Sequence, residues 1–408
     1  MATGASGPTV NVMTTRNAHR VIVAGGGVAG LETVLALHAQ AGDRVEITLL
    51  EPSIELVDRP MLVARPFAAG QTAHTPIARI LAPTHAVHRR EQLVSVDTQA
   101  QTVRTDTGDD LPYDSLVIAL GARAVPAFEH ASTFSPDDPD AISGLLRDLE
   151  EGYSASVAFV IPAGPVWPFP AYELALLTAR QARGMGEAVR VTIVTPEERP
   201  LAAFGPAASD AVETLLAEND VDVITSARAE LNDGRGLTIR PGGRHLDVER
   251  IFTVPRLEGR AIPGLPEDEH GFLAVDRHCL VRGLSGVYAA GDGADFPVKL
   301  GGLAAEMADA VAEHIAARAG ADVDPQPFKP VLRGKLLTGG VPRSLRGGAE
   351  TSEAADHVLW WPPAKVAACH LAPALAGEHG EVLRDIEPGP GALSIRHALD
   401  ERLSRAPG

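Results

Sequence analysis

The densest chemical signal in the sequence is Gly25-Gly26-Gly27-Val28-Ala29-Gly30, a G-x-G-x-x-G turn set directly after the apolar run Val21-Ile22-Val23-Ala24. Glycines at these spacings suit a phosphate cradle. Gly25 permits a tight turn, Gly27 lets backbone approach a pyrophosphate, and Gly30 lets the next helix pack closely on its strand. That helix, expected over Leu31–Gln40, presents unpaired N–H groups and a partial positive charge at its start. Glu51 follows the expected strand Val45–Leu50, 21 residues past Gly30. A carboxylate there accepts hydrogen bonds from an adenosine ribose and repels a 2′-phosphate. The turn alone is a weak signal, because a glycine-rich turn without a ligand is spelled the same way. Its strand, its helix and Glu51 together favour a dinucleotide site.

Other chemistry-bearing residues are sparser. Gly291-Asp292 exposes a carboxylate at the end of the apolar segment Gly286–Ala290, where α/β sheets bind ligands, although a turn or helix-capping aspartate reads the same way. Only two cysteines occur, Cys279 and Cys369, which excludes a disulfide framework and a four-thiolate zinc or iron–sulfur site. Cys279 falls in a strand-like segment and reads as a small core or surface residue. Cys369 stands beside His370, whose imidazolium would lower a thiol pKa, so it is the better candidate for a thiol near a substrate; a structural cysteine is the competing reading. His85-Ala86-Val87-His88 lacks acidic partners and reads as a solvated turn, so no metal site is expected. No G-x-S-x-G nucleophile elbow occurs. Trp360-Trp361-Pro362-Pro363-Ala364-Lys365 has three readings: lining a quinone or substrate pocket, anchoring at a membrane interface, or capping the core.

Positioning these groups takes large cores, and the composition supplies them. The 408 residues suggest two or three domains, with 45% hydrophobic and 22% charged residues. The net charge of −17 argues against a nucleic-acid partner, because phosphate neutralisation needs a basic face. No apolar run approaches the roughly 20 residues of a membrane span. Residues 1–18 lack the order of a signal peptide and read as a flexible tail. A cytoplasmic protein is expected, with peripheral membrane contact left open and the oligomeric state unassigned. The tail Ile395–Leu403 has an apolar stripe but mixed charges, which makes a weak membrane helix.

The elements form two strand–turn–helix–strand series. After the first comes a hairpin-like stretch (Leu93–Val96 and Thr102–Arg104), a buried strand Leu116–Leu120, and a Pro- and Asp-rich crossing from Val125 to Pro139. The second series has helices Ala141–Glu151, Tyr172–Ala182 and Ser209–Glu218 and strands Ser156–Ile161, Arg190–Val194 and Val221–Ile224. A long helix near Gly302–Ala319 and a Pro- and Gly-rich final stretch follow.

The segments VIVAGGGVAGLE with LLEPS, YDSLVIALGAR and GVYAAGD resemble the pyridine nucleotide-disulfide reductase superfamily, flavoproteins with two dinucleotide-binding domains. Their spacing and PVKLGGLAAEMA are most similar to the sulfide:quinone reductase and type II NADH dehydrogenase branch. The resemblance spans about residues 19–320 and implies an α/β fold. In it a FAD-binding Rossmann-like domain (19–124 and 265–320) is interrupted by a second, degenerate NAD-domain-like unit (125–264). An α+β or irregular segment, 321–408, then covers the flavin face. It further implies tight, noncovalent FAD held by Gly25, Gly27, Val28, Ala29, Gly30 and Glu51, with Asp292 on a ribityl hydroxyl after Gly291. Ala119-Leu120-Gly121 resembles the family's Ala-Thr-Gly segment beside the FAD, with Leu120 in place of Thr. Arg59-Pro60 resembles the segment under the isoalloxazine ring, although a plain surface turn fits equally, and Val94 would hold the adenine through its backbone. Lys299, one of only four lysines, would lie near the flavin N1–O2 edge, where a cation stabilises the anionic reduced ring; a solvated lysine is the other reading.

The second unit departs from the family. Where NADH-using relatives repeat G-x-G-x-x-G, this chain has Pro162-Ala163-Gly164-Pro165-Val166-Trp167-Pro168-Phe169-Pro170-Ala171-Tyr172-Glu173. Four prolines remove backbone donors, Trp167 and Phe169 add bulk, and the next strand ends at Thr195-Pro196 instead of an acid, with Glu197 a poor substitute. Conventional NAD(P)H binding is therefore not expected, although NADH in another pose, held by Arg199 and Arg256, is conceivable. The expectation is a FAD-dependent oxidoreductase passing electrons from an unidentified donor to a quinone or other small acceptor. The alternatives are a noncatalytic FAD-binding regulatory or scaffold protein, and an NAD(P)H dehydrogenase with an atypical nicotinamide site.

Overall fold

A computed structural model of the chain describes residues 18–67, 74–129, 131–135, 138, 141–231, 236–348, 351–376 and 393–394. The stripe Ile395–Leu403 and residues 1–17 of the tail lie outside the described residues. Val21 to Ala24 are apolar without alternation and buried on both faces, so strand β1 (His19–Ala24) sits inside a parallel sheet. On one side it pairs with β2 (Val45–Leu50), which carries β3 (Val87–Arg89) at the edge; on the other it pairs with β4 (Ser115–Ile118). Helix α1 (Val28–Ala41) crosses from β1 to β2, three residues longer at its start than the apolar pattern suggested.

The chain then builds a second parallel sheet from β5 (Ser156–Val160), β6 (Arg190–Val194), β7 (Val221–Ile224) and β8 (Arg250–Thr253), in the spatial order β8-β5-β6-β7. Helix α2 (Phe169–Met185) links β5 to β6. The chain passes between the two sheets through Arg123–Val125 and Arg256–Glu258, which pair antiparallel. Strand β9 (Val287–Ala289) rejoins the first sheet beside β4, with Val287 opposite Leu116. Strands β1, β4 and β9 thus share one sheet. Helix α3 (Gly301–Arg318) lies along α1, and small side chains let the two approach closely: a Cβ on Gly291 would stand 3.2 Å from that of Ala29 and 3.4 Å from that of Ala304.

Three local expectations change. The His85–His88 stretch is not a solvated turn: β3 begins at Val87, and the half-buried His88 donates from Nε2 to the Glu51 carbonyl at 2.8 Å. Cys279 is not in a strand but in a tight turn at φ +60°, because the Asp276 carboxylate accepts the N–H groups of His278 and Leu280. Trp360 is buried and donates from Nε1 to the Ala364 carbonyl, which favours the core-capping reading.

Residues after 320 straddle both units. An antiparallel sheet (Leu332–Leu336, Arg343–Gly347, Ser352–Ala355) packs on the second unit, where the Phe169 ring fills the space a Cβ on Gly334 would need. The next stretch turns to the first unit, laying Val366 and Ala367 against Gly301 and Gly302 at the start of α3. Lys365 joins all three parts: its ammonium donates to the Pro60 carbonyl at 2.8 Å and to both Glu173 oxygens at 2.7 and 2.9 Å. The Lys365 side chain is 5% exposed and that of Glu173 is 0% exposed. Removing one partner leaves the other charge buried and uncompensated. Lys365→Met should cost about 3–5 kcal/mol in urea unfolding at neutral pH. Burial already holds the Glu173 carboxyl above its ordinary value of 4.5 against the pull of Lys365. An acid raised in the folded state costs stability as pH rises through its pKa, so the deficit of the variant should shrink as pH falls. A deficit that does not change with pH would contradict this account.

Candidate functional site

The C-terminal ends of β1, β2, β4 and β9 converge on one crevice, at the point where the strand order reverses around β1. Hydrogen bonds hold the segments together: the Gly25 N–H bonds the Leu50 carbonyl at 2.9 Å, Ala119 bonds Ala24 at 2.8 Å, and Ala290 bonds Ile118 at 3.0 Å. The glycines divide by role. A Cβ on Gly25, where φ is +110°, would stand 2.3 Å from the Ala119 oxygen, and one on Gly30 would stand 1.8 Å from the Gly25 oxygen. Gly27 is different. Its backbone is extended (φ −78°, ψ −168°), and a Cβ there would meet nothing within 4 Å. Gly25 and Gly30 are therefore required by the fold, whereas the open space at Gly27 is the space a phosphate needs, at the positive end of α1.

Glu51 is already oriented: Oε2 accepts the Gly26 N–H at 2.6 Å and Oε1 the Ser53 N–H at 2.8 Å. Its chain lies so close that a Cβ on Gly26 would stand 2.5 Å from Glu51 Cγ, a demand on the middle glycine that the motif does not spell out. Gly291 (φ +83°) turns the chain at Asp292, and a Cβ on Gly293 would come 3.2 Å from the Gly121 oxygen, so the β4 and β9 ends meet. Asp292 is partly buried. Desolvation raises its carboxyl above the ordinary range, opposed by the charges of Lys299 and Arg59. Lys299 is not a solvated lysine: it is 4% exposed, donates to the carbonyls of Asp292 (3.0 Å) and Ala294 (2.6 Å), and sits 4.1 Å from the centre of the Phe272 ring. Burial lowers its pKa, against the pull of Asp292. Val94 is 45% exposed on a separate antiparallel sheet (Leu93–Asp97, Thr102–Thr105, Asp110–Pro112).

The corresponding helix start of the second unit is built differently. At the start of α2, Pro168 is the capping residue, Pro170 has no N–H, and the Ala171 N–H is spent on the Pro168 carbonyl at 3.0 Å. Phe169 is buried with its ring centre 5.4 Å from that of Phe204. Glu197, the substitute for a ribose-holding acid, accepts the Tyr172 hydroxyl at 2.5 Å and the Thr195 hydroxyl at 3.0 Å. Arg199 is bound to Asp210 (2.5 Å) and to both Glu213 oxygens (2.9 and 2.7 Å), which leaves little for a phosphate.

Both cysteines are buried, Cys279 at 0% and Cys369 at 5% exposure. Desolvation and the nearby Asp276 push the Cys279 thiol up to about 12, so it stays protonated at neutral pH. The ring of His370 faces the carboxylates of Glu32 and Asp309. The glycine pattern pointed to the crevice, but nothing in local sequence pointed to the roles of Gly26, Glu32, Asp309 or His370. The rarity of lysine was the one signal available for Lys365.

Two parallel-sheet units of this kind, one with an open phosphate cradle, define a two-nucleotide-fold oxidoreductase architecture. The sequence profile of the pyridine nucleotide-disulphide oxidoreductase family matches residues 19–317, and the chain belongs to that family. FAD is the family cofactor that the open crevice fits, and membership assigns the chain to the FAD-dependent oxidoreductases. Among relatives, the sulfide-quinone reductase of Aquifex aeolicus is 33% identical over 227 residues, 51% of each chain. The demethylphylloquinone reductase NdbB of Synechocystis sp. is 23% identical over 68% of this chain and 72% of its own length. The chain spans about half the length of several curated relatives it matches, the Aquifex enzyme among them. Among solved structures, the sulfide:quinone oxidoreductase of Aquifex aeolicus superposes with a TM-score of 0.74, covering 95% of this chain and 94% of that one at 19% identity, a likeness of fold.

Because Gly27 has room for a side chain, Gly27→Val should fold normally by circular dichroism yet lose bound flavin, read as absorbance per mole of protein. Retained flavin would place the pyrophosphate elsewhere. Native protein should show no fast-reacting thiol toward an aromatic disulfide reagent and two after denaturation; one rapid equivalent without denaturant would mean that a buried cysteine opens to solvent.

Proposed function

We propose that this protein passes electrons from a small donor other than NAD(P)H, through FAD, to a quinone or another small acceptor. The observation that carries this reading is the blocked start of α2, opposite an open first crevice. The names of the Aquifex and Synechocystis relatives support a quinone as acceptor. Among the described residues no helix is long and apolar enough to cross a membrane, so a lipid-borne quinone would be met at a membrane surface. The domain division is part of the same reading: residues 19–124 and 265–320 form the FAD unit, 125–264 the second unit and 321–408 the cover, which the sheet memberships support.

Within this proposal the residues divide the work. Gly25, Gly27, Val28, Ala29 and Gly30 would hold the pyrophosphate, with the α1 N–H groups and dipole countering its charge. Glu51, oriented by two backbone amides, would accept the ribose hydroxyls. Asp292 would accept a ribityl hydroxyl, held in place by the turn that Lys299 ties together. Ala119, Gly121, Gly291 and Arg59 would line the flavin end, and Val94 the adenine end. FAD, when bound, supplies the two-electron chemistry that no side chain here can perform. Lys299 stands near Asp292 in a site screened from water, where a fixed charge would act more strongly than in solvent.

Sulfide is named in a relative, but cysteine-based sulfide chemistry does not suit this chain, because both of its cysteines are buried. The nicotinamide route keeps one glycine, Gly164, but has lost the rest of the glycine pattern, backbone donors at four prolines, and its ribose acid. Each lost contact costs on the order of 1–3 kcal/mol, so two of them weaken NADH by roughly two to four powers of ten. Anaerobic stopped-flow reduction with NADH, NADPH, sulfide and small thiols, followed by reoxidation with a soluble quinone, tests the whole reading. Micromolar NADH and NADPH should bleach the flavin slowly or not at all, and reduced protein should be reoxidised by quinone. Fast bleaching by micromolar NADH would sink the proposal.

A further inference from the structure

Glu32 on α1, Asp309 on α3 and His370, just before helix α4 (Leu371–Ala376), come from three distant parts of the sequence. Each brings one ligand atom to within 4.8 Å of the other two. Both carboxylates are buried. Glu32 is 0% exposed, and its two oxygens accept the backbone N–H groups of His370 at 2.8 Å and Leu371 at 2.6 Å. Asp309 Oδ1 is buried without any hydrogen-bond partner. Such a carboxylate oxygen is costly in a packed interior, because it has given up water and received nothing in return.

The surroundings add negative charge. Helix α3 carries Glu306, Asp309 and Glu313, and Glu32 faces them from α1. The arginine here, Arg333, is taken up by Glu306, which also accepts the Val331 N–H; Glu313 accepts the Gln326 N–H. Desolvation pushes the Glu32 carboxyl up to about 7. Desolvation first, then repulsion from Glu32, Glu306 and Glu313 together with a hydrogen bond to Glu32, pushes Asp309 above the ordinary carboxylate range. Two buried carboxyls at this separation are reconciled either by a shared proton or by a cation between them.

We propose that Glu32, Asp309 and His370 form a three-ligand site for a divalent transition-metal ion, with zinc the best chemical match. One imidazole and two carboxylates suit zinc, whose tetrahedral ligands stand about 3.4 Å apart at bond lengths near 2.0–2.2 Å. The present spacing, within 4.8 Å, is wider than that, so binding would draw the three ligand atoms together. The ion would give the bare Asp309 oxygen a partner and cancel the repulsion. The amides of His370 and Leu371 would fix the orientation of the Glu32 carboxylate, as outer hydrogen bonds do for metal-binding carboxylates. The site has a structural consequence. It clamps the C-terminal segment, through His370, to α1 and α3, the helices that follow the Gly25–Gly30 cradle and the Asp292 turn. This extends beyond the electron-transfer reading, which does not use these residues.

The test uses the full-length, flavin-loaded protein, stripped with a chelator and titrated with zinc alone, then with manganese and magnesium alone. After dialysis, elemental mass spectrometry should find one zinc per chain, and zinc should raise the unfolding temperature. Asp309→Asn and His370→Ala should remain folded and yellow but bind zinc at least about tenfold more weakly. Two variants on different elements guard against one that fails to fold. Absence of stoichiometric zinc would overturn the proposal, as would equal zinc binding by both variants. So would a zinc-indifferent wild type in which Asp309→Asn is itself stabilising, the signature of a proton shared between the two carboxyls.

Discussion

The Lys365 ammonium is the interaction on which the arrangement of this molecule turns. A buried cation must be surrounded by acceptors, and here each comes from a different part of the chain: the Pro60 carbonyl from the first unit and the Glu173 carboxylate from the second, met by a lysine from the C-terminal segment. An aqueous gap at any of these joints would leave Glu173 or Lys365 half-satisfied in a medium where unpaired charge costs several kcal/mol. The amide of Leu337 adds a further bond to Glu173 at 2.9 Å, so the C-terminal sheet is tied to the same point. The segment that covers the start of α3 is thereby held where Val366 and Ala367 meet Gly301 and Gly302.

The two nucleotide-type units show how one topology serves unlike ends. Both place parallel strands side by side and a helix after the first strand, and both point that helix toward the C-terminal edge of the sheet. In the first, Gly27 leaves open space at the start of α1. In the second, prolines and aromatic rings occupy the same place, and α2 begins as a piece of core: Phe169 packs on Phe204 while Tyr172 and Thr195 absorb the Glu197 carboxylate. The scaffold persisted because its sheet is stabilised by Val157, Phe159, Val191 and Ile193, which do not depend on what the loop binds.

Buried charge is the third theme. Lys299, Lys365, Glu173 and Glu32 are all removed from solvent, and each is compensated by backbone groups as much as by opposite charge. Asp309 is the exception, with an oxygen that no protein donor reaches. It lies between the two helices that frame the crevice, so whatever supplies its missing positive charge also sets how firmly those helices are joined.

The sequence by itself determined the parallel sheets and the cradle. Val21–Ala24 reads as a strand buried on both faces, and Gly25, Gly27 and Gly30 read as a tight turn from it into a helix, because these are local consequences of side-chain size and backbone freedom. The positions of Glu51 after the second strand and of Asp292 after Gly291 were legible for the same reason. Tertiary structure alone decided the rest. The turn at Cys279 depends on the Asp276 carboxylate folding back over it, and the strand at His88 depends on β2 lying beside it. Nothing near Lys365 in the chain announces Glu173, 192 residues away, and nothing near Glu32 announces His370, 338 residues away. Local spelling sets φ, ψ and which face is apolar, but the partner of a buried charge is chosen only when distant helices close on one another.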